Sequence, residues 1–173
     1  MSSYGNKLFG LRDVKVTNIG GTVQADLPNS QTLAMRFRFR TGELSGDDRL
    51  QSVVSFVDAI DWNLAAGGID LDALEIMTGL TASETGTTPN RVDTLDIGGG
   101  DSMPYFKIYG KSLGDGIDDI HIKLYKCKLN SLEGSFQDAQ FFITSAAGIA
   151  IDDGTGQIID IVANETAATL PTS

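Results

Sequence analysis

The chain has few of the residues on which catalysis, metal binding and covalent crosslinking depend. Its 173 residues include one cysteine (Cys127), one histidine (His121), one tryptophan (Trp62) and four prolines. A single cysteine excludes a disulfide within the chain, and its strand-like surroundings predict a small buried or half-buried side chain. The scarcity of proline is compatible with strands that pair without interruption.

Long apolar runs are also missing. No stretch approaches the roughly 20 apolar residues that a membrane-spanning helix needs. The first residues lack the basic start and apolar run of a secretory signal. We therefore expect a soluble product made in a reducing cytoplasm.

Basic residues are outnumbered, with 13 Lys and Arg against 23 Asp and Glu and a net charge of −10. This balance argues against a protein that binds nucleic acid tightly, but it is compatible with a protein along which nucleic acid moves without being bound. The charged residues are grouped in blocks along the chain: residues 1–40 and 105–130 are net positive, whereas residues 41–104 and 131–173 are net negative. Such blocks fit head-to-tail contacts between identical copies, and they also fit solvated surfaces.

The sequence contains no pattern typical of a catalytic, metal-binding or phosphate-binding site. His121 alternates along a strand without the partners of a catalytic dyad, so we expect a surface-facing or tucked imidazole. The acidic segments at residues 115–119 and 152–156 lack the spacing of a calcium loop and predict β-turns. The glycines of residues 98–100 lack the Lys and Ser/Thr of a phosphate loop. We therefore predict a protein that is not an enzyme, with no catalytic, cofactor-binding or metal-binding residues.

One segment, at about residues 70–79, predicts a short helix. Asp70 can cap its first free N–H groups, and Gly79 supplies a left-handed stop. The apolar stripe has two alternatives at helical spacing: Leu71, Leu74 and Met77, or Leu71, Ala73, Ile76 and Leu80.

Nearly everything else alternates with period two and predicts strands. We expect them near residues 13–17, 22–27, 32–41, 51–63, 92–97, 105–111, 119–129, 134–145 and 157–163. Residues 81–90 predict a polar loop, and residues 98–101 a turn. The prediction is one mainly β domain over residues 1–173, a β-sandwich or barrel with one flanking α-helix, an N-terminal arm at residues 1–10 and a C-terminal arm at residues 164–173.

Two central strands carry patterns that restrict their pairing. Residues 33–40 are apolar at odd positions, whereas residues 52–62 have their large apolar side chains mostly at even positions. Pairing Arg36 opposite Ser55 places the two apolar sets on one face, and a one-residue slip would bury arginines beside Phe56. On this register the apolar face holds Met35, Phe37, Phe39, Val54 and Phe56, and Trp62 falls on the predicted core face.

The opposite face of this pair is mixed. It fits either a sheet shared between subunits or an ordinary solvated face. We expect carboxylates from the acidic blocks to pair with its arginines. The predicted members are Arg36, Arg38, Arg40, Gln51, Val53, Ser55, Val57, Ala59 and Asp61.

The connection between these strands is predicted to be long. Hairpin loops usually have two to five residues, and a ten-residue tip would reach beyond the body of the fold. Its residues are Thr41, Gly42, Glu43, Leu44, Ser45, Gly46, Asp47, Asp48, Arg49 and Leu50.

Five segments carry a family resemblance through their order and spacing. They are residues 8–14 (LFGLRDV), 67–81 (GGIDLDALEIMTGLT), 104–111 (PYFKIYGK), 124–129 (LYKCKL) and 164–171 (NETAATLP). Together they resemble the tail tube, or major tail, proteins of long-tailed phages (siphophages) from end to end.

The resemblance implies a structural virion protein of the phage tail, assembled in the host cytoplasm. Such subunits form hexameric rings that stack into a tube around a tape measure protein, with tail terminator and tail tip proteins as further partners. DNA leaves through the inner barrel without specific binding. Residues 41–50 would correspond to the loop that stacks one ring on the next, and the terminal arms to segments that latch onto neighbours. A type VI secretion-like tube protein or a minor tail component are the alternatives.

Overall fold

In a computed structural model, the chain folds mainly as β-structure, as predicted. The structure describes residues 9–46, 49–68, 70–113, 118–135, 138 and 142–171. Within these ranges there is one helix, α1 (Leu71–Thr78), and no helix is long and apolar enough to cross a membrane. The strands are β1 (Phe9–Asn18), β2 (Gln24–Asp26), β3 (Ser30–Gly46), β4 (Arg49–Gly67), β5 (Ser83–Thr85), β6 (Val92–Thr94), β7 (Phe106–Leu113), β8 (Asp119–Ser135), β9 (Ile143–Ala150) and β10 (Ile159–Asn164).

Eight strands form one antiparallel sheet in the order β2-β1-β7-β8-β9-β4-β3, with β10 paired to β8. Strand β8 is long enough to pair with β7 and β10 through its first half and with β9 through its second half. The sheet curls until β3 approaches β7, since a Cβ atom on Gly110 would lie 2.7 Å from Leu33 Cδ2. A glycine at this position permits the close approach.

The curled sheet and the helix enclose one hydrophobic core. Trp62 of β4 is buried, as predicted, and meets Phe106 of β7 edge to face at 5.7 Å between ring centroids. Gly148 lies against this tryptophan, since an added Cβ would fall 1.9 Å from the Lys128 carbonyl oxygen and 2.5 Å from the indole ring. The core therefore depends on a glycine where β8, β9 and β4 meet.

Helix α1 has the predicted ends. The Asp70 carboxylate accepts a hydrogen bond from the Ala73 N–H at 2.9 Å. Gly79 adopts a left-handed conformation (φ 73°), and its N–H donates to the Glu75 carbonyl. Three apolar side chains of the helix are buried in the core. Met77 belongs to one predicted stripe, and Ala73 and Ile76 belong to the other.

The ten-residue connection between β3 and β4 was a wrong prediction. Cross-strand pairing continues to Gly46 and resumes at Arg49, so most of residues 41–50 belong to the strands. The polar residues there do not end the ladder, because residues on an exposed hairpin need no apolar alternation to pair. Asp47 and Asp48 lie outside the described residues.

Three other boundaries also differ from the prediction. The predicted loop at residues 81–90 contains β5, which pairs with β6. The predicted strand at residues 134–145 is the end of β8 and the start of β9, with a turn at Asp138. Phe9 and Gly10 belong to β1 rather than to an arm, whereas residues 1–8 lie outside the described residues.

The predicted register of β3 and β4 was also wrong. Arg36 pairs with Asp61 and not with Ser55, and Ser55 pairs with Thr41. The register shifts between the pairs Arg38–Ala59 and Phe39–Val57, which leaves Asp58 as an extra residue in β4. This β-bulge inverts the alternation of the β4 residues from Ser52 to Val57 relative to β3.

The bulge produces the arrangement that the sequence argument rejected. Arg40 lies directly opposite Phe56, so an arginine and this phenylalanine share a face. Neither side chain is buried, and the burial penalty that excluded this pairing does not arise within one chain. Val54 and Phe56 consequently lie on the opposite face from Phe39, contrary to the prediction.

Candidate assembly surface

Beyond the bulge, β3 and β4 continue as an isolated pair that we call the hairpin arm (residues 38–46 and 49–59). Strand β9 pairs with β4 only from Ile60 onwards. Among the described residues, no other strand pairs with either edge of the arm. An isolated two-stranded hairpin is marginally stable in water at best, so the arm depends for its order on the sheet from which it extends.

The arm is rich in exposed apolar side chains. Phe39 is 62% exposed and Phe56 is 65% exposed, although both are large aromatic residues. Contiguous apolar surface of this kind usually marks an interaction site. The arm's exposed large apolar residues are Phe39, Leu44, Leu50, Val53, Val54, Phe56 and Val57.

One face of the arm, the Phe face, continues the core face of the sheet. Phe37 and Phe39 stack with ring centroids 6.4 Å apart, and Val57 lies opposite Phe39. In the body of the sheet the same face holds Met35 opposite the buried Trp62. The hydrophobic stripe therefore runs out of the core onto an uncovered ribbon.

The other face, the Arg face, carries the three predicted arginines. Arg38 Nε donates to Asp61 Oδ2 at 2.8 Å, and this hydrogen bond raises the pKa of the arginine. Arg40 Nη2 lies 3.0 Å from Asp58 Oδ1. The expectation that carboxylates of the acidic block pair with these arginines is confirmed for Arg38 and Arg40.

Arg36 differs from its two neighbours, because it has no ion pair within the part of the chain that the structure describes. The two formed pairs are solvent-exposed, and pairs of that kind contribute little to stability. Their main consequence is local neutralisation of positive charge, which leaves Arg36 as the unpaired cation of this face.

Of the other predicted members of this face, Ala59 and Asp61 lie on it, opposite Arg38 and Arg36, whereas Val53 and Val57 lie on the Phe face. Ser55 lies on the Phe face, because the bulge inverts its orientation. Gln51 is an extra residue at a second register shift, between the pairs Leu44–Ser52 and Ser45–Leu50. The predicted helix residues lie elsewhere, where α1 packs against the core.

A second polar centre, which the sequence analysis missed, holds the C-terminal segment. Asp119 is fully buried and accepts hydrogen bonds at 2.7 Å from Asn164 Nδ2 and from the Ala168 N–H. Lys111 Nζ lies 3.0 Å and His121 Nε2 3.1 Å from the same carboxylate. Burial acts to raise the pKa of Asp119, but these hydrogen bonds outweigh it and hold the pKa well below its usual range.

This centre fastens residues 164–171 to their own chain. The Lys111 ammonium also donates to the Ala168 carbonyl oxygen, and Leu170 near the end of the segment is buried. His121, which we expected to be surface-facing or tucked, is buried beside Asp119. No local sequence pattern could reveal the cluster, because its members come from three distant segments.

The other predicted features of the sequence have structural explanations. In the segment at residues 152–156, Asp152 Oδ1 accepts from the Gly154 N–H at 2.6 Å, which confirms an acidic turn. Cys127 is buried, and burial raises the pKa of its thiol. Within the described ranges, no three His, Cys, Asp or Glu residues are grouped to hold a metal ion.

Comparison with known proteins yields no relative from which a role could be transferred. No family model matches the chain, and no match was found among curated proteins. The function must therefore be argued from the chain's own surface, of which the hairpin arm is the most unusual part.

Proposed function

We propose that the chain is a tail tube protein of a long-tailed phage, a structural subunit that polymerises as stacked hexameric rings. The observation that carries this proposal is the hairpin arm, which exposes apolar side chains on both faces and has unpaired edges. The resemblance of five sequence segments to tail tube proteins supplies the particular assembly. The conduit so formed would carry DNA during ejection.

The energetics of the arm favour a closed assembly over a single contact. Burying a half-exposed large apolar side chain gains about 1 kcal/mol, so the seven on the arm supply roughly 7 kcal/mol. Association costs roughly 4–15 kcal/mol, which one such contact scarcely offsets. In a ring each subunit makes two contacts, one through its own arm and one through the surface that receives a neighbour's arm. The last contact, which closes the ring, forms without a further subunit having to associate.

Unpaired strand edges support the same conclusion. Besides the arm, β10 has only β8 as a ladder partner among the described residues, and its Ile161 is 62% exposed. Exposed edges promote uncontrolled pairing unless another strand completes them. A barrel closed by identical subunits removes these edges.

Charge on the arm is compatible with a passage for DNA. Each phosphate that a protein neutralises strengthens binding, so unpaired arginines in a channel would retard DNA. Arg38 and Arg40 are neutralised within the chain, and the net charge of −10 repels phosphates over about 10 Å at ordinary salt. The tape measure, tail terminator and tail tip proteins are the partners that this function would require.

The test is self-assembly of the purified chain at increasing concentration, followed by sedimentation and negative-stain microscopy. We expect rings and tubes from the unmodified chain. The double substitution Phe39→Ser and Phe56→Ser should abolish them with little change in thermal stability, because both side chains are exposed in the subunit. A matched control, Val92→Ser with Ile97→Ser, removes apolar side chains of similar exposure away from the arm and should still assemble.

Two results would contradict the proposal. Monodisperse subunits at every concentration would show that the arm does not drive assembly. Equal assembly by the arm variant and the control would show that the arm is not the contact surface. Rings that never elongate would instead favour the minor tail component considered above.

A further inference from the structure

An apolar groove lies between the β1–β2 turn and the C-terminal end of α1. Ile19 and Val23 from the turn are 48% and 54% exposed, and Tyr105 is 37% exposed. Leu80 and Pro104 complete the apolar lining. This groove is separate from the hairpin arm and from the centre around Asp119.

Two lysines border the groove. Lys126 Nζ lies 5.0 Å and Lys128 Nζ 5.1 Å from the centroid of the Tyr105 ring. Neither ammonium has an ion pair among the residues that the structure places. Glu75, the acidic residue of the groove lining, is already engaged because its carboxylate accepts a hydrogen bond from the Ala82 N–H. The groove therefore has an apolar floor, with the Glu75 carboxylate on its helix side and two ammonium groups beside Tyr105.

The tip of the hairpin arm has the complementary composition. Leu44 and Leu50 are 62% and 56% exposed, and Glu43 beside them is exposed as well. Residues 43–49 contain three acidic residues and a single arginine. An exposed apolar tip that carries Glu43 and an apolar groove with two lysines beside its Tyr105 thus occur on the same chain.

The tip and the groove lie at opposite ends of the strands. Hydrogen-bonded pairing connects one residue from each of six strands into a row across the sheet. Along the strand direction, the hairpin arm extends from one side of this row, and the β1–β2 turn and Tyr105 lie on the other side. The row consists of Asn18, Phe106, Cys127, Ala150, Ile60 and Phe37.

We infer that the groove receives the arm tip of a second copy of this chain. Leu44 and Leu50 would cover Ile19 and Val23, while Glu43 would approach Lys126 and Lys128. Because tip and groove are different surfaces at opposite ends, the contact is heterologous and extends a stack indefinitely. The inference rests on the proposed tube function and adds to it the surface that accepts each successive ring.

Charge reversal tests the electrostatic part of the contact. Glu43→Lys alone, or Lys126→Glu with Lys128→Glu, should lower the fraction of tubes at least about tenfold. All three substitutions in one chain should restore tubes, because the attraction is re-formed with opposite signs. The matched control Asp96→Lys reverses an exposed acid outside the tip and should leave assembly unchanged. Thermal unfolding of each variant separates lost folding from lost stacking.

Crosslinking tests proximity without relying on charge. A chain carrying Leu44→Cys and Val23→Cys should form a ladder of disulfide-linked oligomers once tubes have formed. The native Cys127 is buried, and its raised pKa keeps it from competing. Leu44→Cys with Ile161→Cys places the second thiol on β10 and should give no comparable ladder.

The outcomes distinguish this inference from the proposed function. The groove would be overturned as the receptor by two results together: the Leu44→Cys, Val23→Cys chain forms normal tubes but no disulfide ladder, and both charge-reversed variants also form normal tubes. The proposed tube function would then still stand. Absence of tubes from the unmodified chain would overturn both.

Discussion

At the scale of single residues, Asp119 organises more of the molecule than any other side chain described above. Its carboxylate joins β8 to the C-terminal segment through Asn164 and the Ala168 N–H, which are 45 and 49 residues away. A buried carboxylate is costly unless its oxygens are fully hydrogen-bonded and paired with a cation. Lys111 and His121 supply the additional donors here.

We predict that Asp119→Asn lowers the free energy of unfolding by about 3 kcal/mol at neutral pH, because Lys111 then loses its buried partner. Urea denaturation measures this change. Asp26→Asn, which removes an exposed ion pair to Lys15, serves as the control and should cost no more than about 0.5 kcal/mol.

The pH dependence should follow the direction of the Asp119 pKa. Because folding lowers this pKa, the stabilisation is fully present above the unfolded value of about 3.9 and is lost as the pH falls through the folded value. The stability difference between the wild-type chain and Asp119→Asn should therefore shrink in acid. A difference that stays constant below the unfolded pKa would contradict this role for the carboxylate.

At the scale of elements, one extra residue determines what the hairpin arm displays. Without the bulge at Asp58, Phe56 and Val54 would lie on the Phe face beside Phe39, and Val53 and Val57 would lie with the arginines. With it, each face of the arm carries both apolar and polar groups. A ribbon that is apolar on both faces can be covered from two directions, which suits a strand pair enclosed by neighbouring subunits.

Helix α1 permits a precise test of its C-terminal end. Gly79→Ala places a Cβ on a left-handed residue and within 2.9 Å of the Pro104 ring. The left-handed conformation alone costs a non-glycine residue about 1–2 kcal/mol, so the melting temperature should fall by several degrees. Gly99→Ala is the control, because no neighbouring atom lies within 4 Å of the added Cβ. Equal melting temperatures for the two variants would refute the assigned cap.

At the scale of the whole molecule, the subunit has a compact core and one uncovered extension. The buried residues of the core cluster come from six of the eight strands of the main sheet and from the helix, and none of them belongs to the arm. The subunit can therefore fold by itself while its extension remains available. This division predicts that assembly and folding can be separated by mutation.

Shortening the arm should separate them. Replacing residues 43–53 by Asn-Gly closes the ladder after the pair Gly42–Val54 with a turn suited to a two-residue hairpin. We expect folded subunits or single rings but no long tubes, because this change removes the tip that we propose contacts the next ring. Circular dichroism verifies folding, and microscopy measures tube length. Long tubes of normal appearance from this variant would contradict a stacking role for the tip.

The sequence by itself determined the features that depend on neighbouring residues. Helix α1 was predictable because Asp70 and Gly79 act within a few positions of the groups they cap. The mainly β class and the burial of Trp62 followed from period-two alternation, which any long antiparallel strand with one buried face must show.

Only the tertiary structure decided the register of β3 and β4, the length of the arm and the attachment of the C-terminal segment. The bulge at Asp58 has no local signature, because an extra residue is placed by the packing of Ile60 and Trp62 in the core on one side and the free ribbon on the other. Asp119 likewise resembles any acidic residue after a turn until folding brings its distant partners to it. Both features arise from long-range contacts, whose energies no short stretch of sequence contains.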